Sequence, residues 1–107
     1  MSGLPATANL IGYRGDTWTQ PFVFKDGTVP VDLTGATVAS WAALNGDTPI
    51  VIPATIGPDP GTVTLGPTVF ATAGAYNYDI EITDPGGTIT TRVRGRLVIE
   101  QDVTNRP

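Results

Sequence analysis

Apolar and polar residues alternate with a period of two through residues 14–38, and this pattern limits the segment to β-structure. Trp18, Phe22 and Phe24 share one parity, while threonine, valine and lysine occupy the other. Successive side chains of a strand point to opposite faces. The alternation therefore predicts a half-buried strand from residue 17 to residue 25.

Turn residues follow this strand and predict a hairpin. Asp26-Gly27 is typical of a type I′ turn, whose two central residues both need positive φ. Residues 28–33 then carry valine and leucine at alternate positions and predict the return strand. Thr34-Gly35 is expected to end it.

The composition extends the β prediction to the whole chain. Its 107 residues include seventeen threonines, thirteen glycines and ten prolines, but one lysine and one methionine. Threonine favours pleated strands, while glycine and proline favour turns. The length fits one domain. We expect a sandwich domain over residues 9–100, an N-terminal arm at 1–8 and a C-terminal tail at 101–107.

Composition also disfavours several classes of function. The chain has no cysteine, no histidine and a net charge of −4. It therefore cannot form a disulfide, a thiolate metal site or a histidine-dependent nucleophile. The acidic charge disfavours nucleic acid, which needs clustered Lys and Arg, and no apolar run approaches the roughly 18 residues of a membrane span. The first ten residues lack the features of a secretory signal. We expect a protein that is not an enzyme and has no cofactor.

Further strands follow from the same reasoning. They are predicted at residues 9–13, 36–43, 49–52, 62–65, 74–83 and 88–100, with a proline-rich loop at 53–61. The last two form the longest pair. If Asp84 faces Gly87 across their turn, Asp79 faces Arg92 on the outer side, and opposite charges across a strand pair are stabilising.

Three arginines, Arg92, Arg94 and Arg96, alternate along the last strand and so share one face. In this register Arg94 faces Asn77 and Arg96 faces Ala75, so neither has an acid directly across. Arginine is enriched at protein interfaces. Arg94 and Arg96 are therefore the predicted partner-binding residues, for docking on an acidic neighbouring subunit. A solvated face with loose ion pairs is the alternative.

Aromatic residues suggest how the core is built. Gly74 followed by Tyr76 at the start of a long strand is how the tyrosine corner of immunoglobulin-type sandwiches looks. Tyr78 occupies the place where antibody domains carry a cysteine, so its ring is expected to fill the core there. Trp41 is the candidate for the core tryptophan, although its parity relative to Val38 leaves this open.

Two blocks of the chain, residues 15–38 and 73–103, resemble the immunoglobulin-like β-sandwich domains of tailed-bacteriophage virion proteins. The resemblance is to the N-terminal domain of the baseplate upper protein family and to domains of minor tail and tail-fibre proteins. It is carried by Gly-Asp-Thr at 15–17, Asp-Leu-Thr-Gly-Ala at 32–36, Gly-x-Tyr at 74–76 and Asp-Val at 102–103. It implies an all-β, immunoglobulin-like antiparallel β-sandwich of about seven to eight strands. The residues of this family are structural, so no catalytic residue carries over.

The resemblance also implies a function. We expect a structural subunit of a phage virion, assembled in the host bacterial cytoplasm, with other phage structural proteins as partners and many copies in a symmetric assembly. A minor tail or baseplate position is favoured, and a capsid-surface decoration protein is the alternative. A carbohydrate-binding module is the rival from another class, with Trp41 and Tyr13 as candidates for its exposed aromatic strip. An intracellular bacterial adaptor domain is a third hypothesis.

One acidic pair and one tripeptide resemble known sites. Asp79 and Glu81 share a strand face, as a glycosidase pair would, but an adjacent arginine favours a solvated face. Arg14-Gly15-Asp16 spells an integrin-binding tripeptide, but a glycine turn capped by the aspartate is the simpler interpretation.

Calcium is the remaining ionic hypothesis. Asp47, Asp59 and Asp84 fall in predicted loops, and loop carboxylates bind Ca²⁺. Their spacing matches no known calcium loop, so no catalytic, cofactor-binding or metal residue is predicted.

Overall fold

The structure, a computed structural model, describes residues 6–44 and 47–101. These residues form eleven strands. They are β1 (Ala6–Thr7), β2 (Leu10–Tyr13), β3 (Thr17–Val23), β4 (Lys25–Asp26), β5 (Val29–Pro30), β6 (Thr37–Leu44), β7 (Ile50–Ile52), β8 (Ala54–Ile56), β9 (Thr62–Val69), β10 (Gly74–Thr83) and β11 (Ile89–Glu100). Within the described ranges, no helix is long and apolar enough to cross a membrane.

Two sheets pack face to face and confirm the predicted all-β sandwich. The six-stranded sheet has the order β1-β11-β10-β6-β7, with β2 also pairing along β11, and the three-stranded sheet has the order β3-β9-β8. This division of strands follows the immunoglobulin-like pattern. The two sheets contain more strand segments than expected. One edge is split into β1 and β2, and the chain crosses between the sheets at Pro53, which separates β7 from β8.

The core lies between the sheets and is aliphatic with an aromatic cluster at one end. Val63, Leu65, Ile80 and Leu97 are fully buried. In the cluster, the Phe70 ring lies 5.7 Å from that of Trp18 and 5.4 Å from that of Tyr76, measured between centroids. Trp18 is therefore the core tryptophan. The expectation for Trp41 was wrong, because its side chain is 44% exposed on the outside of β6.

The predicted tyrosine corner is confirmed. Tyr76 is buried, and its hydroxyl donates a 2.7 Å hydrogen bond to the backbone carbonyl of Thr72, four residues upstream. Tyr78 is buried as predicted, and its hydroxyl donates to the Ala8 carbonyl at 2.6 Å. Burial raises the pKa of Tyr78 to about 12.

Replacing Tyr76 by phenylalanine is expected to lower the free energy of unfolding by about 1–3 kcal/mol, because the Thr72 carbonyl loses its donor. Urea denaturation measures the change. Tyr13→Phe is the matched control, since Tyr13 is 47% exposed, and it should stay within about 0.5 kcal/mol of the wild type. Equal effects of the two substitutions would contradict a structural role for the corner.

The predicted first hairpin was wrong in its pairing. Strand β3 pairs with β9, and the hairpin is reduced to the ribbon β4-β5, in which Asp26 faces Val29 across Gly27-Thr28. The physical reason is the length of β9, which extends to Val69 and offers β3 a longer partner than β5 does.

The termini and loops also differ from the prediction. Ala6 and Thr7, expected in the arm, form β1 alongside β11, and the expected proline loop contains β8. Residues 1–5 of the arm, 102–107 of the tail and Asn45-Gly46 of a predicted turn lie outside the described residues.

The predicted register of the last hairpin was also wrong. The Asp84 amide donates to the carbonyl of Thr88 and not of Gly87, so the turn is one residue wider than predicted. The Asp84 side chain stabilises this wider turn, because its Oδ1 accepts hydrogen bonds from the amides of Gly86 and Thr88, both at 3.0 Å. A bulge in β11 then adds Arg92, so the register shifts again between Ile80 and Glu81.

Candidate docking face

The outer face of the six-stranded sheet is the candidate site, and one row of side chains crosses it. Here the outer face means the outward-pointing residues of that sheet. The strand registers align five of them, one from each of β1, β11, β10, β6 and β7. This central row consists of Thr7, Arg94, Asp79, Trp41 and Val51.

The row crosses three chemically different stripes. Trp41 and Val51, which are 44% and 61% exposed, form an apolar stripe on β6 and β7. Asp79 and Glu81 form an acidic stripe on β10, and Arg94 and Arg96 form a basic stripe on β11. Tryptophan and arginine, both exposed on this face, are enriched at protein interfaces.

The acidic stripe is electrostatically unfavourable within one chain. Burial raises the pKa of Asp79, and the charge of Glu81, two residues along the same strand face, raises it further. Arg94 stands directly across from Asp79 in the register, yet the two causes of the pKa shift of Asp79, its burial and the charge of Glu81, both disfavour its charged form. A cation supplied from outside would therefore stabilise this carboxylate.

Two hydrogen bonds to backbone carbonyls of the face fix its strands against their neighbours. The hydroxyl of Ser40, a buried polar side chain, donates to the Asp79 carbonyl at 2.6 Å and fixes β6 against β10. On the other side the Ala8 amide donates to the Arg94 carbonyl at 3.1 Å and fixes the edge strands against β11.

A shallow groove of about 590 Å³ runs along this face. Trp41 and Pro49 line one side, Asn77 and Asp79 its floor, and Arg94 the other side. Such a groove can hold a side chain or a sugar ring between an aromatic platform and hydrogen-bonding groups.

The structure places both predicted partner-binding residues on the outer face. Arg94 lines the groove, and Arg96 lies beside it, opposite Asn77. The argument that Arg94 lacks an acid across from it was wrong, since the wider turn and the bulge together move the partner of Asp79 from Arg92 to Arg94. Their role in binding remains a prediction.

Sequence reasoning missed the apolar part of the face. Trp41 was left open between the core and an exposed aromatic strip, and Val51 was given no role. Local alternation did not decide the parity of either residue. The structure decides it, because Ala42 and Ile52 are buried and their neighbours Trp41 and Val51 therefore point outward.

The other sequence candidates have structural explanations. Gly15 adopts φ +85° in the turn that follows β2, which confirms the glycine turn of the simpler interpretation, while capping of that turn by Asp16 stays a prediction. Among the described residues, no three Asp or Glu side chains come together as metal ligands.

A second, smaller cavity of about 280 Å³ lies at one end of the sandwich. It is lined by residues 32–34 and 56–61, including Asp32 and Asp59. Asp32 Oδ1 accepts a 3.0 Å hydrogen bond from the Thr34 amide, and hydrogen bonds from Thr34 lower the pKa of Asp32. The Asp32 carboxylate therefore stabilises its own turn through a hydrogen bond to the backbone.

Comparison with known proteins adds no relative. No family model and no curated protein matches this chain. Its function is therefore argued from the outer face and from the resemblance of its two sequence blocks.

Proposed function

We propose that this protein is a non-enzymatic structural subunit of a tailed-bacteriophage virion that joins neighbouring subunits through its outer face. The observation that carries the proposal is the exposure of Trp41 and Val51 beside the charged stripes, on the larger of the two sheets. The phage assignment is supported by the resemblance of residues 15–38 and 73–103 to virion domains. Within the particle we favour the tail or baseplate over the capsid surface.

The sheet edges support docking through a face. Strand β3 carries Pro21, which cannot donate to a neighbouring strand, and β7 is flanked by Pro49 and Pro53. Prolines protect sheet edges from pairing with another chain. These prolines do not block the outer face, and other phage structural proteins, present in many symmetric copies, are its proposed partners.

Particle localisation tests the proposal. In virions of a phage whose genome encodes the chain, gold-labelled antibodies against the protein should mark the tail or baseplate, and mass spectrometry should find it in every purified particle. Label on the head would favour the decoration alternative. Absence of the protein from purified virions would overturn the proposal.

Variants test the face. Trp41→Ser combined with Val51→Ser should lower the number of copies per particle about tenfold, the effect of losing interface anchors. Val23→Ser with Val69→Ser is the matched control, because these valines are 56% and 55% exposed on the other sheet. Arg94→Ser with Arg96→Ser should also reduce incorporation. Equal incorporation of face and control variants would show that another surface docks.

Carbohydrate binding is the second candidate, favoured by the position of Trp41 beside Asn77 and Asp79 in one groove. Tyr13, the other predicted aromatic, lies on β2 away from the groove lining, so these two aromatics form no continuous strip. Binding of the purified protein to host polysaccharide that is lost in Trp41→Ala would favour this alternative.

A further inference from the structure

We infer that the outer face binds a second copy of this chain in a two-fold symmetric dimer, with Arg94 of each copy against Asp79 of the other. This inference deepens the proposed docking role by naming one neighbour, and it rests on that role only for the choice of face. It is an isologous contact, in which one patch meets itself.

The register makes the patch self-complementary. Arg94 and Asp79 lie directly opposite each other on adjacent strands β11 and β10. A two-fold axis that runs parallel to these strands, midway between them, exchanges the two positions when two faces meet. Each arginine is then brought over the aspartate of the other copy, and both contacts form at the same level of the sheet.

The next positions along the strands agree with the same axis. Arg96 faces Asn77 in the register, so the rotation brings each Arg96 over an amide that can accept a hydrogen bond. An axis perpendicular to the strands would instead bring each stripe onto itself, arginine on arginine and carboxylate on carboxylate. Charge repulsion disfavours that arrangement.

The dimer relieves the electrostatic cost of the acidic stripe. Asp79 and Glu81 lie on one face of β10, and both the burial of Asp79 and the charge of Glu81 raise the pKa of Asp79 and so disfavour its charged form. A guanidinium from the second copy supplies an opposite charge in a partly desolvated setting, where such a pair is stronger than in water.

The size of the face is enough for a small specific interface. The axis between β10 and β11 superposes four strands, β1, β11, β10 and β6, which span about 19 Å. Strands of eight to ten residues, such as β6 and β10, run about 27–33 Å. Each copy therefore contributes about 500–600 Å², or about 1,000–1,200 Å² in total, the lower end of the range for specific interfaces.

Two charge-reversal variants test the contact. Arg94→Glu places acid on acid in a homodimer, and Asp79→Arg places arginine on arginine, so each variant alone should be monomeric by sedimentation equilibrium. An equimolar mixture restores both contacts. The new glutamate at position 94 of one variant meets the new arginine at position 79 of the other, and the native Asp79 and Arg94 pair beside them. The mixture should dimerise within about tenfold of the wild-type dissociation constant. Unfolded protein cannot produce this recovery.

Control variants with the same charge changes lie off the face. Lys25→Glu and Asp59→Arg are exposed elsewhere and should dimerise like the wild type. Circular dichroism verifies folding, and Asp79→Lys replaces Asp79→Arg if the latter unfolds. A wild-type monomer at millimolar concentration, or variants that dimerise singly, would overturn the inference. Virion localisation is measured independently. A protein that does not dimerise can still be a virion subunit, and a protein that is absent from virions can still dimerise.

Discussion

Replacing Gly95 by alanine is expected to lower the free energy of unfolding by about 3 kcal/mol or more, although the change adds one methyl group. A Cβ at this position would meet the backbone carbonyl oxygen of Ala8. Ala8 lies between β1 and β2, where its amide is hydrogen-bonded to Arg94 and its carbonyl to the Tyr78 hydroxyl. The added methyl group must therefore displace a segment that is held at both ends.

The cost has two parts. Overpacking against backbone typically costs about 1–3 kcal/mol. Displacement of Ala8 also removes the acceptor of the buried Tyr78 hydroxyl, for about 1–3 kcal/mol more. Urea denaturation measures the sum. Gly86→Ala is the control, since a Cβ there makes ordinary contact, 3.4 Å from Asp84 Oδ1, in an exposed loop. If Gly95→Ala lowers the free energy of unfolding by less than about 1 kcal/mol, the edge strands β1 and β2 can move away from β11 at little cost.

Local patterns predicted the elements whose partners lie close in sequence. Strand β10 was predicted with its observed bounds, Gly74–Thr83, and the tyrosine corner followed from Gly74 and Tyr76 four residues from its acceptor. Both predictions needed only residues that are close in sequence. The alternation of apolar and polar residues along β10 also shows which of its faces points into the core.

Pairing between distant strands was not predictable in the same way. Nothing local to β3 indicates that β9, about forty residues later, displaces the return strand of the hairpin. The bulge at Arg92 depends on how β11 meets β10, and together with the wider turn it makes Arg94, not Arg92, face Asp79. The candidate site was therefore half predictable: its arginines came from alternation, while Trp41 and Val51 needed the sheet order.

Gly66→Ala is expected to have an effect of similar size, lowering the free energy of unfolding by about 3–5 kcal/mol. Gly66 adopts φ +92°, which costs an L-residue about 1–2 kcal/mol. A Cβ there would also meet the Trp18 carbonyl oxygen and lie 3.2 Å from Thr19 Cα. The Gly66 amide donates to the Pro53 carbonyl at 2.7 Å, so the residue cannot move away without loss of that bond. These contacts fix the irregular pairing of β9 with β3.

Gly15→Ala separates the two contributions, because Gly15 has a similar φ of +85° and nothing within 4 Å of its missing Cβ. It should cost about 1–2 kcal/mol, the backbone part alone. The excess of Gly66→Ala over Gly15→Ala then measures how firmly the backbone of Trp18 is held, and with it the aromatic cluster that Trp18 forms with Phe70. Equal costs in urea denaturation would mean that β3 moves aside, and that burial of Trp18 does not depend on this irregular pairing.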